Sequence, residues 1–301
     1  MKKYVITGSI GHTGKIIVAA LAKAGHDVVV VTSKESNKAA IEQLGAKAAV
    51  GSIKDATFVK NAFAGAEIAY TMIPADFTAQ DFRKYQNMIG DNYIQAITGA
   101  GIKYVVNLSS VGAHMGNGAG VVDGLSDFEK MLDALATVNA VHLRPSFFYY
   151  NFLAQIPMIK GMGIMGANYG SMDTPILLTH TDDIADVALE YLLNPTFNGH
   201  TVRYIASDDR TLGDVCKLIG NAIGKPLNWV QFPDDQAKAG MLQMGLPETI
   251  ANGYIELGIA FREGKMEAHY RQNPPAALGN IKLEQYIPEF VAAYQHGGGA
   301  H

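Results

Sequence analysis

The chain has 301 residues, 48% of them apolar, and sets 24 Lys and Arg against 28 Asp and Glu for a formal charge of −4. At roughly 100–200 residues per domain this is one large globular unit or two modest ones, and a single cysteine, Cys216, excludes a disulfide scaffold and a thiolate zinc cage. No apolar run approaches the ~18 residues of a membrane span. The opening Met1–Thr7 carries too short an apolar stretch for an export signal, and the mildly acidic balance without basic clusters argues against nucleic acid. A reducing cytoplasm is the expected setting.

In chain order, short β-branched runs alternate with longer stretches of helical spacing, the pattern of an α/β fold. Strands are predicted at Tyr4–Thr7, Val28–Thr32, Ala46–Val50, Ile68–Met72, Tyr104–Leu108 and Ala140–Leu143. Several are near-continuous apolar runs, as expected of strands covered on both faces. The first helix presents Ile16, Ile17, Ala20, Leu21 and Ala24 as a stripe and ends at Gly25; further helices start near Ser36, Asp55, Ala79 and Asp123. Right-handed crossovers then give a doubly wound parallel sheet. Beyond Pro145 an aromatic run, Phe147 to Phe152, leads into a Gly/Met-rich stretch to Met172 that reads as a pocket wall. Pro175–Leu193 reads as strand, Asp182/Asp183 cap and helix, and Thr201–Ile205 as a strand rejoining the sheet. The expected division is a nucleotide-binding domain over 1–152, with 176–206 returning to it, and a smaller, mainly helical substrate region over 153–301. The tail Gly297–His301 reads as disordered.

The motif that carries chemistry follows the first strand. Gly8, Gly11 and Gly14 make a G-x-x-G-x-x-G loop, with Ser9, His12 and Thr13 between them, opening directly into the first helix. Gly8 permits the tight turn, Gly11 lets backbone approach a pyrophosphate, and Gly14 lets helix and strand pack closely. The free amides and positive dipole end of the helix then meet the phosphates. An acidic residue at the end of the second strand would take the ribose 2′-hydroxyl of NAD. That strand ends instead in Thr32, Ser33 and Lys34, two hydroxyls and an ammonium suited to the 2′-phosphate of NADP, with Glu35 as a counter-signal. NADP is therefore favoured over NAD, and a solvated Lys34 is the plain alternative.

This glycine pattern, Gly51-Ser52-Ile53-Lys54-Asp55, Asn107-Leu108-Ser109-Ser110, Arg144-Pro145-Ser146-Phe147-Phe148-Tyr149-Tyr150-Asn151 and Asp183-Ile184-Ala185 together resemble the NmrA-like branch of the atypical short-chain dehydrogenases, in order and spacing over nearly the whole chain. The resemblance implies a Rossmann domain, a small C-terminal region and a cleft between them. Its members include NADPH-dependent quinone reductases, triphenylmethane and azo-dye reductases, isoflavone-type reductases, and regulators that bind NADP without turnover. By position it assigns Gly8, Ser9, Gly11, His12 and Thr13 to the phosphates, Ser33 and Lys34 to the ribose phosphate, and Ser52 and Ile53 to adenine. Ser52 departs from the aspartate common there. Met72, Ile73 and Pro74 fall beside the nicotinamide ribose, Ser109 follows the fifth strand, and Asn151 ties down backbone at the domain junction.

Most short-chain dehydrogenases protonate a carbonyl with a Y-x-x-x-K pair on the helix after the fifth strand. Here Ser126 occupies the tyrosine slot before Lys130, and a serine hydroxyl is too weak an acid for the task. Glu129 and Asp133, spaced i and i+4, read as helix-surface charges. Two readings survive. Either hydride passes to an electron-poor aromatic acceptor, a quinone or cationic dye, that needs no buried proton donor, or the chain binds NADP(H) as a redox-sensing regulator. No catalytic residue is assigned. Phe77, Phe147, Phe148, Tyr149 and Met158, with Phe152, Met162 and Met165, offer a flat polarizable lining for such an acceptor or are simply core; His114 is expected near the nicotinamide end. The nine histidines show no metal-ligand spacing, His180 reads as structural, and Cys216 as a buried small hydrophobe. Loops at 116–120 and 161–170 are expected to act as lids, and a homodimer stays open.

Overall fold

The computed structural model describes residues 1–296; the glycine-rich tail read as disordered lies outside them. The elements alternate as the periodicity dictates: β1 Lys3–Ile6, α1 His12–Lys23, β2 Asp27–Thr32, α2 Lys38–Gln43, β3 Lys47–Val50, α3 Ala56–Phe63, β4 Ile68–Met72, α4 Phe82–Ala100, β5 Tyr104–Leu108, α5 Asp123–Asp133 and β6 Asn139–Pro145. A helical segment follows, with β7 Phe147–Phe148, α6 Ile156–Met162, β8 Met165–Ala167, β9 Pro175–Thr179, α7 Thr181–Leu193, β10 His200–Ile205 and β11 Asp208–Thr211. The chain ends with α8 Leu212–Ile223, β12 Trp229–Gln231, α9 Asp234–Gln243, α10 Glu248–Arg262, α11 Ala268–Gln272 and α12 Leu283–His296.

Seven strands form one sheet in the order β10-β6-β5-β4-β1-β2-β3, and every pairing within it is parallel. This is a Rossmann-type doubly wound α/β sheet. The strand order reverses between β1 and β4, which opens a crevice over their carboxyl ends. Ile17, Val18 and Leu21 of α1 and Ile184, Ala185 and Ala188 of α7 cover one face; Val59, Phe63, Ile89, Tyr93 and Phe128 from α3, α4 and α5 cover the other. The buried stripe of α1 is turned toward Val18, leaving Ala24 exposed, because the helix docks between the sheet and α7. Helix ends follow local chemistry. Asp55 and Asp81 cap α3 and α4, and Gly25 leaves α1 at φ +80.

Of the segment expected to return to the first domain, β10 joins the sheet beside β6, as expected for Thr201–Ile205, and α7 packs on its face. The strand β9 instead pairs with β11 and β7 in a separate three-stranded sheet. At the start of α7 the cap is His180, whose Nδ1 accepts from the Asp182 amide at 3.1 Å, and not the expected Asp182/Asp183 pair. Asp183 is buried and accepts from Ser207 Oγ and the Asn280 and Ile281 amides, fastening the C-terminal segment to the middle of the chain. Cys216 is fully buried on the apolar side of α8, and desolvation pushes its thiol up to about 12. No helix among the described residues is long and apolar enough to cross a membrane.

Candidate cofactor and acceptor site

The glycine loop enters the crevice through two consecutive left-handed residues, Gly8 at φ +86 and Ser9 at φ +61; Ser9 is the only non-glycine with positive φ among the described residues. That conformation is uncommon for a side-chain-bearing residue and concentrates at functional loops. It is held by a small polar cluster: Ser9 Oγ donates to Thr32 Oγ1 at 3.0 Å, Asn37 Nδ2 donates to both oxygens at 3.0 and 3.2 Å, and the Ser9 amide donates to the Val31 carbonyl. Asn37 has no local signature in the sequence and was not anticipated. The three glycines differ in what fixes them. A Cβ on Gly8 would meet Met72 Cγ at 2.5 Å and one on Gly14 the Ser9 carbonyl at 2.2 Å, whereas one on Gly11 would find nothing nearer than the Gly8 carbonyl at 3.8 Å. Gly11 therefore leaves an open surface beside the first amides of α1. That helix has no side-chain cap and no acidic residue in its first turn, so its amides and its dipole are free for an anion.

The remaining residues assigned to the dinucleotide line the strand ends in sheet order. Ser33 and Lys34 are exposed beyond β2, and Glu35 lies 3.8 Å from Lys38. Past β3, Ser52 is exposed with its Oγ accepting from the Lys54 amide, and the Ile53 carbonyl accepts from Asn92. Met72 is half-buried and its carbonyl accepts from Thr7 and Tyr93; Ile73 is buried, and the Pro74 carbonyl accepts from Tyr85. At the end of β5, Ser109 is 4% exposed and its Oγ has no partner, an unmet hydrogen-bonding group at the floor of the crevice. His12 is exposed, its ring stacked on Tyr150 at 5.1 Å and 14°. Thr13 donates to the Thr181 carbonyl at 3.4 Å. An open groove of about 950 Å³ also starts at this loop but follows the outer face of α1, between Ile16, Ala19 and Leu44, away from the strand ends.

The residues expected to line an acceptor separate into two sets. Phe77 is half exposed and stacks on Tyr254 of α10 at 6.5 Å; Phe148 and Tyr150 face each other at 5.2 Å; Phe147 meets Tyr169 edge-on at 6.0 Å. Met158 is half-buried on α6. By contrast Tyr149, expected in the lining, is a core residue 1% exposed, its hydroxyl donating to Asp208 and the Ile281 carbonyl. Phe152 and Met165 are likewise sealed in the core, and Met162 points to solvent. His114 is half-buried with Nδ1 unpartnered, 5.5 Å from the His269 ring, and burial together with Arg144 and His269 holds its pKa below the ordinary imidazole value.

The two loops expected as lids are pinned. Arg83 holds the Gly116 carbonyl and Asn117, Asp123 accepts the Gly118 and Ala119 amides, and Gly120 packs backbone to backbone on Gly253. The second loop contributes β8, paired to β12.

The structure also revises the reading of α5. Ser126 is buried and Lys130 is exposed beside Asp127. Glu129 is not a surface charge. It is 4% exposed and grips Arg144 of β6 with two bonds of 3.0 and 2.5 Å, while Asp133, one turn on, accepts from His142 at 2.9 Å. Four helix residues rise about 6 Å and two strand residues about 6.6 Å, so i, i+4 on α5 matches i, i+2 on β6. His142 continues through Asn107 to Thr71, a polar row crossing three neighbouring strands just below the crevice. No cluster of His, Cys, Asp or Glu able to hold a metal occurs among the described residues.

Comparison with known proteins bears on the fold and the family. A curated relative, the NAD(P)H azoreductase of Xenophilus azovorans, is 21% identical over 253 residues, 84% of this chain and 85% of that protein. Among solved structures, an Escherichia coli NADPH-dependent quinone oxidoreductase complexed with NADPH superposes with a TM-score of 0.80 at 20% identity, covering 96% of this chain and 99% of that one. The Citrobacter sp. triphenylmethane reductase complexed with NADP(H) gives 0.76 at 15% identity over 96% and 99%. At such identities the superpositions establish the fold. The model of the NmrA-like family matches residues 1–278, a span that takes in every motif from Gly8 to Ala185, and the chain belongs to that family.

Proposed function

We propose that the protein is an NADPH-dependent reductase that passes hydride to an aromatic acceptor such as a quinone or dye, without a Tyr/Lys proton donor on α5. The observation that carries the cofactor half is the loop. Gly8 and Gly14 are demanded by the protein's own packing, Gly11 is not, and it sits beside uncapped helix amides where a diphosphate would lie. The residues present fit a dinucleotide. Ser9, Gly11, His12, Thr13 and the amides of α1 would hold the phosphates, Ser52 and Ile53 the adenine side, and Met72 to Pro74 with Ser109 the nicotinamide ribose. When bound, the reduced nicotinamide supplies the hydride; the chain's part is to orient it and to exclude water from its reactive face. The azoreductase, the quinone oxidoreductase and the triphenylmethane reductase support an acceptor of the dye or quinone class.

The direct test mixes the protein with NADPH and a panel of quinones, azo dyes and triarylmethane dyes and follows the nicotinamide absorbance. Oxidation above background with at least one acceptor is expected. Tight NADPH binding with no oxidation across the panel would move the protein to the redox-sensing reading.

Preference for NADPH is carried by Ser33 and Lys34, exposed beyond β2 with no acid in the NAD-selecting position. Lys34→Glu is expected to raise the Kd for NADPH about tenfold, the worth of one charge-assisted contact, and to leave NADH within about threefold. Equal losses for both cofactors in titration calorimetry would remove Lys34 from the 2′-phosphate site.

A further inference from the structure

Three phenols to which the motifs assign no role face the crevice from the C-terminal side. Tyr150 follows β7, Tyr169 follows β8, and Tyr254 lies in the middle of α10. All three are half-buried. Tyr4, Tyr85, Tyr93, Tyr149 and Tyr204 each place their hydroxyl on a protein partner. The hydroxyls of Tyr150, Tyr169 and Tyr254 bond to no other described residue and are not sealed from solvent either, since the buried unpartnered tyrosine oxygens are those of Tyr70 and Tyr286. Three phenolic donors therefore open on accessible space.

Their placement is fixed from both sides. Tyr254 stacks on Phe77 in the loop after β4, and Thr249 of the same helix donates to the Gln80 carbonyl in that loop at 2.6 Å. Tyr150, from the segment after β6, stacks on His12 of the glycine loop. Tyr169 meets Phe147 edge-on at 6.0 Å and Tyr150 faces the adjacent Phe148 at 5.2 Å, which sets these two phenols on neighbouring rings, and Tyr254 raises both electrostatically after burial has raised them first. In the sheet β5 lies between β4 and β6. Tyr254, packed on the loop after β4, and Tyr150, after β6, therefore flank the end of β5, where Ser109 Oγ is unpartnered. The aromatic faces that complete the wall are Phe77, Phe147 and Phe148; the carboxylate that shares a cavity with Tyr150 and His12, Glu289, is two-thirds exposed to water.

Resting on the reductase reading above, we infer that Tyr254, flanked by Tyr150 and Tyr169, is the hydrogen-bonding wall of the acceptor site, and that the site is built for neutral planar acceptors with a carbonyl oxygen, quinones, in preference to cationic dyes. Neutral donors that a bound ligand desolvates discriminate strongly against one that leaves them unpaired, and a wall of rings and phenols whose neighbouring carboxylate, Glu289, is hydrated gives a cation no buried counter-charge.

The test is Tyr254→Phe, which keeps the ring on Phe77 and removes only the hydroxyl. With NADPH, kcat/KM for a benzoquinone is expected to fall about tenfold, the equivalent of about 1.4 kcal/mol, while that for a cationic triarylmethane dye falls by no more than about twofold. In parallel, calorimetry on the NADP⁺-loaded protein, where no turnover occurs, should show benzoquinone binding about tenfold weaker and NADPH affinity unchanged. Equal losses for quinone and dye, or no change in either, would overturn the assignment. If the wild-type protein oxidises NADPH with neither acceptor, the reductase reading falls on its own, and the calorimetric arm still decides Tyr254: an unaltered benzoquinone affinity rejects it.

Discussion

Gly11→Ala is expected to reduce NADPH affinity by about a hundredfold, some 2.7 kcal/mol, while the melting midpoint of the ligand-free protein moves by less than about 2 °C. The asymmetry follows from what surrounds the added methyl. Inside the protein it would find only the Gly8 carbonyl, 3.8 Å away, and Gly11 sits at φ −65, which alanine adopts freely. Outside, it would stand where a diphosphate must come within hydrogen-bonding distance of the first amides of α1. Gly14→Ala is the matched control. Its methyl would be driven to 2.2 Å from the Ser9 carbonyl, so the loop must shift, Ser9 loses its place against Thr32 and Asn37, and both stability and binding fall. Calorimetry for NADPH and a thermal melt on each variant separate the cases. Unimpaired NADPH binding by Gly11→Ala would remove the diphosphate from this loop and, with it, the basis for placing the nicotinamide over β5.

How much of this was legible beforehand depended on whether the cause was local. Ile68–Met72 and Tyr104–Leu108 read residue for residue because an apolar run between turn-formers needs nothing else to define a central strand. The glycine loop was legible for the same reason, since a tight turn, a close approach and a helix start are written into consecutive residues. The strand β6 runs on through Pro145, past the expected end at Leu143, because His142 and Arg144 are polar residues made buriable by Asp133, Asn107 and Glu129. No single segment shows that neutralisation. The same blindness made Glu129 look like a surface charge; Asp133, read the same way, is exposed as expected. In the aromatic run, Tyr149 turns inward to Asp208 and Tyr150 outward to His12, and nothing in the string of rings tells the two apart before Asp208 and Ile281 are in place. Tyr254 and Asn37 were missed because their relevance is purely spatial: Tyr254 reaches the crevice from α10, far along the chain from Phe77.

The second large effect is expected at the Glu129–Arg144 pair. Both side chains are buried, at 4% and 7% exposure, and Arg144 also donates to the Tyr204 hydroxyl at 3.0 Å, which in turn is hydrogen-bonded to His269 Nδ1 at 2.9 Å. Glu129→Ala leaves the guanidinium without its carboxylate in a desolvated setting, and removing one partner of such a pair costs about 3–5 kcal/mol, against a total stability of roughly 5–15 kcal/mol. The melting midpoint should fall by about 10 °C. The double variant Glu129→Leu with Arg144→Met, similar in volume and uncharged, should recover most of that loss, because no charge is then left unpaired and apolar residues of matching shape fill the space. A fall of only about 1 kcal/mol in Glu129→Ala would be the behaviour of an exposed pair and would mean that water reaches Arg144. Failure of the double variant to recover would show instead that Arg144 matters through Tyr204 and His269, on the side facing His114. Recovery and failure of the double variant bear on function differently: recovery confines the pair to joining α5 and β6, and failure ties the end of β6, from which Phe147 and Phe148 emerge, to the loop carrying His114.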